Sequence, residues 1–248
     1  MSGHSKWSTI KHKKGAADAK RGKVFTRIIK EMTIAARLGG GDAEGNPRLR
    51  AAVAEAKANN MPKDNIERAI KRGTGEIEGV NYEEVTYEGY GPGGVAIIVD
   101  ALTDNTNRTT PEIRHMFEKH GGNLGTPGSV RFQFEKKGYF AVEKKSVGED
   151  RLMELVLEAG ADDLQTDDAE MYEIYTTPEN FEAVRQALET GKVATVEGKL
   201  DMIPSTYVAV DEAKSKQIMR LLESLDDHDD TQNVYSNFDI PAEMMETA

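Results

Sequence analysis

Residues 17–41, ADAKRGKVFTRIIKEMTIAARLGGG, carry two patterns at once. Apolar side chains recur at helical spacing, at Val24, Phe25, Ile28, Ile29, Met32 and Ala36. Basic side chains lie mostly off that apolar stripe, at Lys20, Lys23, Arg27 and Lys30. The run of three glycines that closes the stretch ends the pattern. The stretch therefore predicts an amphipathic helix over 17–38 with a basic side.

Two further helices are predicted after the glycines. Asn46 can cap the second helix and Pro47 can occupy its first turn, since proline is tolerated where the backbone N–H has no helical partner. A similar start at 60–62 opens a third helix, which ends near Gly73. We therefore expect residues 1–77 to form a helical domain of about three helices, followed by a short linker.

Beyond the linker, strands and helices alternate. Residues 138–204 contain strand, helix, strand twice over, which is a complete βαββαβ unit. The elements before and after this unit belong together, as a second unit that it interrupts. In that second unit we expect strands at 82–87, 95–99, 130–134, 207–210 and near Val234, and helices from Thr110 and around Leu221. The predicted fold class is α+β multidomain: an N-terminal three-helix domain (1–77), a split ferredoxin-like domain (80–135 and 205–248), and a second one inserted in it (136–204).

Charge is segregated along the chain. The 248 residues have a formal net charge of -11 and no cysteine, which excludes disulfides and thiolate chemistry. Residues 1–77 contain 17 Lys and Arg against 8 Asp and Glu, a net of +9, whereas residues 78–248 contain 15 against 35, a net of -20. Because exposed charges are screened beyond about 8 Å at physiological salt, the acidic part need not cancel the basic part. A basic N-terminal domain of this kind is typical of proteins that bind a polyanion.

The motifs that would indicate an enzyme or a cofactor are missing or lack their structural context. Gly89 to Gly94 matches G-x-G-x-x-G, but a strand is predicted after it, whereas a dinucleotide site needs a helix there. The five histidines lack metal-ligand spacing, and the aspartate cluster at 226–230 lacks the spaced ligands of a calcium loop. We expect no enzyme activity, no cofactor, no metal site and no membrane span, and a cytoplasmic protein.

The candidate nucleic-acid site lies at the basic end of the chain. Its residues combine cations for phosphates with rings that can stack on exposed bases, and they are Lys6, Trp7, Lys11, His12, Lys13, Lys14, Lys20, Arg21, Lys23, Arg27 and Lys30. This interpretation has one physical requirement: the cations must form an accessible positive surface. Neighbouring carboxylates that neutralised them would remove that surface.

The same segments resemble those of a known family. Gly3 to Trp7 (GHSKW), Ile10 to Lys14 (IKHKK), Asp18 to Lys23 (DAKRGK), Asn59 to Lys63 (NNMPK) and His120 to Gly125 (HGGNLG) are similar to motifs of the YebC family, and the resemblance covers essentially the whole chain. It implies a helical first domain followed by two α/β domains. The family is generally described as probable transcriptional regulators that bind DNA. It includes the mitochondrial translational activator of cytochrome c oxidase subunit I, and some members are regarded as ribosome-associated factors.

Three functions remain open at this point. A transcriptional regulator would grip duplex DNA with the basic set, although no helix-turn-helix pattern or base-reading helix face is present. A translation factor would place the same cations on ribosomal RNA, which can be recognised by its shape. An adaptor would instead recruit a basic protein through the acidic α/β domains. The sequence favours a nucleic-acid-binding regulator of transcription or translation, and leaves the choice between DNA and RNA undecided.

Overall fold

The computed structural model describes the backbone of residues 18–240 and the side chains of residues 22–240. Seven α-helices and eight strands lie within this range: α1 Asp18–Gly39, α2 Pro47–Ala58, α3 Lys63–Gly73, β1 Glu83–Tyr90, β2 Ala96–Thr103, α4 Thr106–Lys119, β3 Asn123–Leu124, β4 Phe134–Glu143, α5 Glu149–Glu158, β5 Ala161–Gln165, β6 Met171–Thr176, α6 Phe181–Thr190, β7 Thr195–Pro204, α7 Glu212–Asp226 and β8 Thr231–Ser236. The α+β class, with a helical N-terminal part, is confirmed.

Helices α1, α2 and α3 form the predicted bundle. Asn46 caps α2, because its side-chain oxygen accepts a hydrogen bond from the backbone N–H of Leu49 at 3.1 Å. The bundle core contains Ile28, Met32, Leu49, Ala52, Ala56, Ile66 and Ala69. Alanines and Gly73 let the helix axes approach closely: a Cβ on Gly73 would lie 2.4 Å from the carbonyl oxygen of Thr33.

The first sheet has the strand order β3-β1-β2-β8. Strands β1 and β2 form an antiparallel hairpin across the glycine-rich loop at 91–95. The prediction that a strand follows this loop, and not the helix of a dinucleotide site, is therefore confirmed. Strand β2 is buried almost throughout, and Phe117 of α4 and Leu221 of α7 are fully buried side chains of the same unit. This unit comprises residues 18–130 with 210–234.

A second compact unit comprises residues 131–209 with 235–240. Its sheet has the order β5-β6-β4-β7, with every pairing antiparallel, which is the strand arrangement of the predicted βαββαβ unit. Phe140 on β4 and Ile174 on β6 contribute to a core that also contains Leu152 of α5 and Val184 of α6.

Three element predictions were wrong in detail. Helix α4 begins at Thr106 and not at Thr110, because Asn105 caps it and Pro111 is accommodated inside the helix. Residues 131–133 form a short 3-10 turn, and Phe132 is exposed where a strand was expected. At 207–210 only an isolated bridge is present, from Val208 to Phe238. In the stretch from 18 to 240, no helix has the length and apolar character needed to cross a membrane.

Candidate nucleic-acid interface

The predicted site residues fall into three groups in the structure. Lys6, Trp7, Lys11, His12, Lys13 and Lys14 lie outside the described residues. Lys20 and Arg21 lie in the first turn of α1, and their side chains are not among those described. The geometry therefore bears on Lys23, Arg27 and Lys30.

These three cations line one side of α1 and meet an acidic segment, residues 226–230, which joins α7 to β8. Lys23 Nζ lies 3.1 Å from Asp227 Oδ1, Arg27 Nη1 lies 3.4 Å from Asp226 Oδ1, and Lys30 Nζ lies 2.6 Å from Asp230 Oδ1. The spacing of four and then three residues matches the helical repeat, so each turn of α1 presents one cation to one carboxylate. The contact is a row of ion pairs.

Lys30 lies at the buried end of this row. It is 6% exposed, and its ammonium group also donates to the backbone carbonyl oxygens of Leu102 at 3.2 Å and Asp229 at 3.0 Å. Its Nζ lies 5.5 Å from the ring centroid of Tyr82, within the range of a cation–π interaction. The expectation that Lys30 presents an accessible charge is therefore wrong, because all three ammonium protons can be directed at protein acceptors.

Asp230 gathers three donors around one buried carboxylate. In addition to Lys30, it accepts hydrogen bonds from Arg108 Nη2 at 2.6 Å and from the Thr109 hydroxyl at 2.7 Å. Burial alone would raise the pKa of this carboxyl, but the hydrogen bonds from Lys30, Thr109 and Arg108 outweigh it and hold the pKa well below its ordinary value. Asp230 is thus an anion that the fold keeps charged.

The outer pairs are more open to solvent. The side chains of Lys23 and Asp227 are 43% and 69% exposed, so their pairing is screened and weak. Arg27 is more enclosed, and its guanidinium also donates to the backbone carbonyl of Asp226. The requirement for an accessible surface is consequently not met on this side of α1, where the acidic segment already occupies the positions that phosphates would take.

Sequence reasoning missed the partners of these cations. From the sequence, a calcium loop is excluded at the aspartate cluster of residues 226–230, but no partner is assigned to this cluster, and no role is assigned to Arg108. One signal was available: an Asp-rich run of five residues can match cations spaced along two turns of a helix. The pairing itself spans 199 to 204 residues of sequence, so spacing alone could not reveal it.

Other cations of the bundle are differently placed. Six of them form no ion pair with a described carboxylate, namely Arg37, Arg50, Lys57, Arg68, Lys71 and Arg72. Arg48, by contrast, pairs with Glu31 and Glu84, each at 2.6 Å, and side-chain hydrogen bonds to Glu31 raise the pKa of its guanidinium further above its ordinary value. Residues 31–77 are nearly neutral overall, with eight Lys and Arg against seven Asp and Glu, but these six cations are not held in ion pairs with described carboxylates.

Two family profiles cover nearly all of the chain. The profile described as the TACO1/YebC protein N-terminal domain matches residues 5–76, and the one described as the TACO1/YebC second and third domain matches residues 82–238. A "Probable transcriptional regulatory protein" of Syntrophus aciditrophicus is 59% identical over 99% of this chain and 98% of its own length. One of the same name from Acidobacterium capsulatum is 62% identical over 97% of each chain.

A solved structure is also similar. The crystal structure of a conserved hypothetical protein of Aquifex aeolicus matches with a TM-score of 0.80 and 50% identity, covering 90% of this chain and 92% of that one. The similarity of this chain to known proteins therefore extends from the sequence to the fold. On these grounds the chain belongs to the TACO1/YebC family.

Proposed function

We propose that the chain is a non-enzymatic regulator of gene expression that binds nucleic acid through its basic N-terminal residues. One observation supports this most directly. Residues 1–22 contain six Lys and Arg and a single acid, Asp18, in a chain that is otherwise acidic. The relatives named as probable transcriptional regulatory proteins point to the same class of function.

The contacts in this proposal come from the predicted site residues that are not part of the ion-pair row. Lys6, Lys11, Lys13, Lys14, Lys20 and Arg21 would engage phosphates, and Trp7 and His12 would stack on exposed bases. Lys23, Arg27 and Lys30 take a structural role instead, since their charges already face Asp227, Asp226 and Asp230. If six cations meet phosphates, binding should fall with salt at a log–log slope of roughly -5 on duplex DNA and about -4 on single strands.

Two targets fit these contacts, promoter DNA and ribosomal RNA. Phosphate contacts position a protein on either one, whereas base contacts are needed to select a DNA site. The discriminating experiment incubates the full chain with ribosomes and with promoter-length DNA at matched salt. Cosedimentation with ribosomes and no footprint on DNA would support the translation role, and a footprint without cosedimentation would support the transcription role.

The second candidate function is an adaptor for a basic protein. The excess of carboxylates in residues 78–248, 35 against 15 cations, is the observation that favours it. The two functions respond differently to neutralising Lys6, Lys11, Lys13 and Lys14 in the full chain. A nucleic-acid binder should lose its partner, whereas an adaptor that uses the α/β domains should retain it.

A further inference from the structure

The C-terminal ends of α1 and α3 meet at one end of the helical bundle. Gly73, the last residue of α3, lies so close to α1 that a Cβ there would be 3.2 Å from the backbone nitrogen of Arg37. A Cβ on Gly41 would be 2.8 Å from the methyl group of Thr74. The linker folds back onto the same place, since the N–H of Ile77 donates to the carbonyl of Lys71 at 3.3 Å.

Cations collect at this junction. Arg68, Lys71 and Arg72 are exposed on α3, and Arg68 lies three residues before Lys71 and four before Arg72, so its side chain is a neighbour of both on the helix surface. Arg37 lies in the last turn of α1 and donates to the carbonyl oxygen of Tyr82 at 2.5 Å. The negative ends of two helix dipoles meet here, which makes the position favourable for positive charge.

Exposed apolar side chains lie among these cations. Leu38 is 64% exposed beside Arg37, and Ile77 is 37% exposed beside Lys71. We define the basic corner as the surface formed by these two apolar residues and the four cations, namely Arg37, Leu38, Arg68, Lys71, Arg72 and Ile77.

Four acids lie close to the basic corner, and none of them forms an ion pair with its cations among the described residues. Asp64 and Glu67 lie four residues before Arg68 and Lys71 on α3, and Glu67 pairs with Lys63 at 3.3 Å. Glu76 accepts a hydrogen bond from the Thr74 hydroxyl at 2.9 Å, and Glu78 is exposed on the linker. Neither carboxylate forms an ion pair with Arg68, Lys71 or Arg72 among the described contacts. The cations of the basic corner therefore have no ion-pair partner among the described residues, in contrast to Lys23 and Lys30 on α1.

We propose that the basic corner is a second nucleic-acid contact surface and that its ligand is folded RNA with unpaired bases. The inference rests on the proposed function and adds a site to it. Lysine and arginine bind phosphates, and the arginine fork matches phosphate oxygens in a bidentate manner. Exposed Leu38 and Ile77 can pack on bases that are not stacked in a duplex, as unpaired bases in RNA loops are not.

The composition of this surface favours RNA over duplex DNA. In a DNA duplex the bases are stacked and present only their edges in the grooves, so the exposed side chains of Leu38 and Ile77 would have no base face to pack on. RNA folds can be distinguished by shape, by phosphate contacts and by exposed bases, and these are the contacts that the basic corner can offer.

The test uses the full chain and a fluorescein-labelled RNA stem-loop, with a DNA duplex of the same stem sequence as the comparison ligand. The corner variant carries Arg68→Gln, Lys71→Gln and Arg72→Gln. A matched control removes three exposed cations that are ion-paired elsewhere, through Arg185→Gln, Lys214→Gln and Lys216→Gln. Fluorescence anisotropy over a salt series gives the dissociation constant and the salt slope, and thermal melting checks that each variant is folded.

We expect the corner variant to bind the RNA about ten-fold more weakly and to lose about 2 units of log–log salt slope, because three phosphate contacts contribute about 0.7 each on single strands. The control variant should keep the wild-type slope. A further variant, Leu38→Ser with Ile77→Ser, should weaken RNA binding without changing the slope, since it removes apolar contacts and no charge. A wild-type slope in the corner variant would overturn the proposal, and so would tighter binding to the DNA duplex than to the RNA.

An N-terminal variant, Lys11→Gln with Lys13→Gln and Lys14→Gln, separates this inference from the proposed function. If it loses RNA binding while the corner variant does not, the N-terminal site is supported and the basic corner is refuted. If only the corner variant loses binding, the basic corner is supported and the N-terminal site is refuted. If the wild-type chain binds neither ligand, both proposals fail.

Discussion

Asp230 determines how the first helix is held, because one carboxylate satisfies Lys30, Arg108 and Thr109 together. A buried ion pair contributes little net stability when it is complete, since desolvation offsets the attraction. Removing one partner is different, because it leaves a buried charge without compensation. The effect of a substitution at Asp230 is therefore set by the uncompensated buried charge that it leaves, and not by the number of hydrogen bonds that it removes.

We predict that Asp230→Asn lowers the free energy of unfolding by about 3–5 kcal/mol, the usual cost of leaving one member of a buried pair uncompensated. Urea denaturation followed by circular dichroism measures the change. Asp227→Asn is the matched control, since its pair with Lys23 is exposed and should contribute less than about 1 kcal/mol. Equal effects of the two substitutions would show that burial of Lys30 is not what makes Asp230 important.

The same carboxylate predicts a dependence on pH. Because hydrogen bonds hold the pKa of Asp230 below its unfolded value of about 3.9, its stabilising effect is complete above that pH and is lost as the pH falls below it. The difference in unfolding free energy between wild type and Asp230→Asn should therefore be constant from pH 7 to about pH 5 and shrink below about pH 4. A difference that grew on acidification would contradict the assignment.

At the scale of the elements, close packing of α1 on α3 depends on Gly73. A Cβ there would lie 2.4 Å from the Thr33 carbonyl oxygen and 2.7 Å from the Ala36 Cβ, so the helices would have to separate. We predict that Gly73→Ala destabilises the bundle by about 1–3 kcal/mol. Hydrogen–deuterium exchange should become faster in α1 and α3 and remain unchanged in residues 134–204.

Gly22→Ala provides the control for this prediction. Gly22 lies in α1, and a Cβ there would meet no neighbouring atom within 4 Å, so alanine should be neutral or should stabilise the helix by up to about 1 kcal/mol. If Gly73→Ala leaves exchange in α1 and α3 unchanged, the helices are not held as closely as the structure indicates.

Element boundaries were predictable where local chemistry decides them. Asn46 with Pro47 located the start of α2, and the glycines after Leu38 located the end of α1, because capping and helix termination are local effects. The start of α4 was missed because Pro111 suggested a helix beginning, whereas Asn105 provides the cap. Phe132 alternated with its apolar neighbours like a strand residue, but the 3-10 turn at 131–133 exposes it.

At the scale of the whole molecule, the segregation of charge can be read from the sequence, but the ion pairs that these charges form cannot. The positive N-terminal part and the acidic remainder follow from composition alone. The pairing of Lys23, Arg27 and Lys30 with residues 226–230 depends on the chain returning to α1 after about 200 residues, which no local pattern encodes. Among cations that look equivalent in sequence, Lys23, Arg27 and Lys30 therefore hold the fold, and we propose that those of residues 1–21 bind the ligand.

This division makes a prediction for the full chain. Neutralising the structural cation, by Lys30→Gln, should lower the unfolding free energy while leaving the salt slope of nucleic-acid binding unchanged. Neutralising Lys11, Lys13 and Lys14 should leave the unfolding free energy unchanged and reduce the salt slope by about 2 on RNA. The two variants should thus affect different quantities.

The most direct measurement is that salt slope, determined for wild type and both variants on one labelled RNA stem-loop at temperatures where all three are folded. We predict a shallower slope for the Lys11, Lys13 and Lys14 variant and an unaltered slope for Lys30→Gln. A slope that decreased for Lys30→Gln and stayed at the wild-type value for the N-terminal variant would contradict the proposed division of the cations.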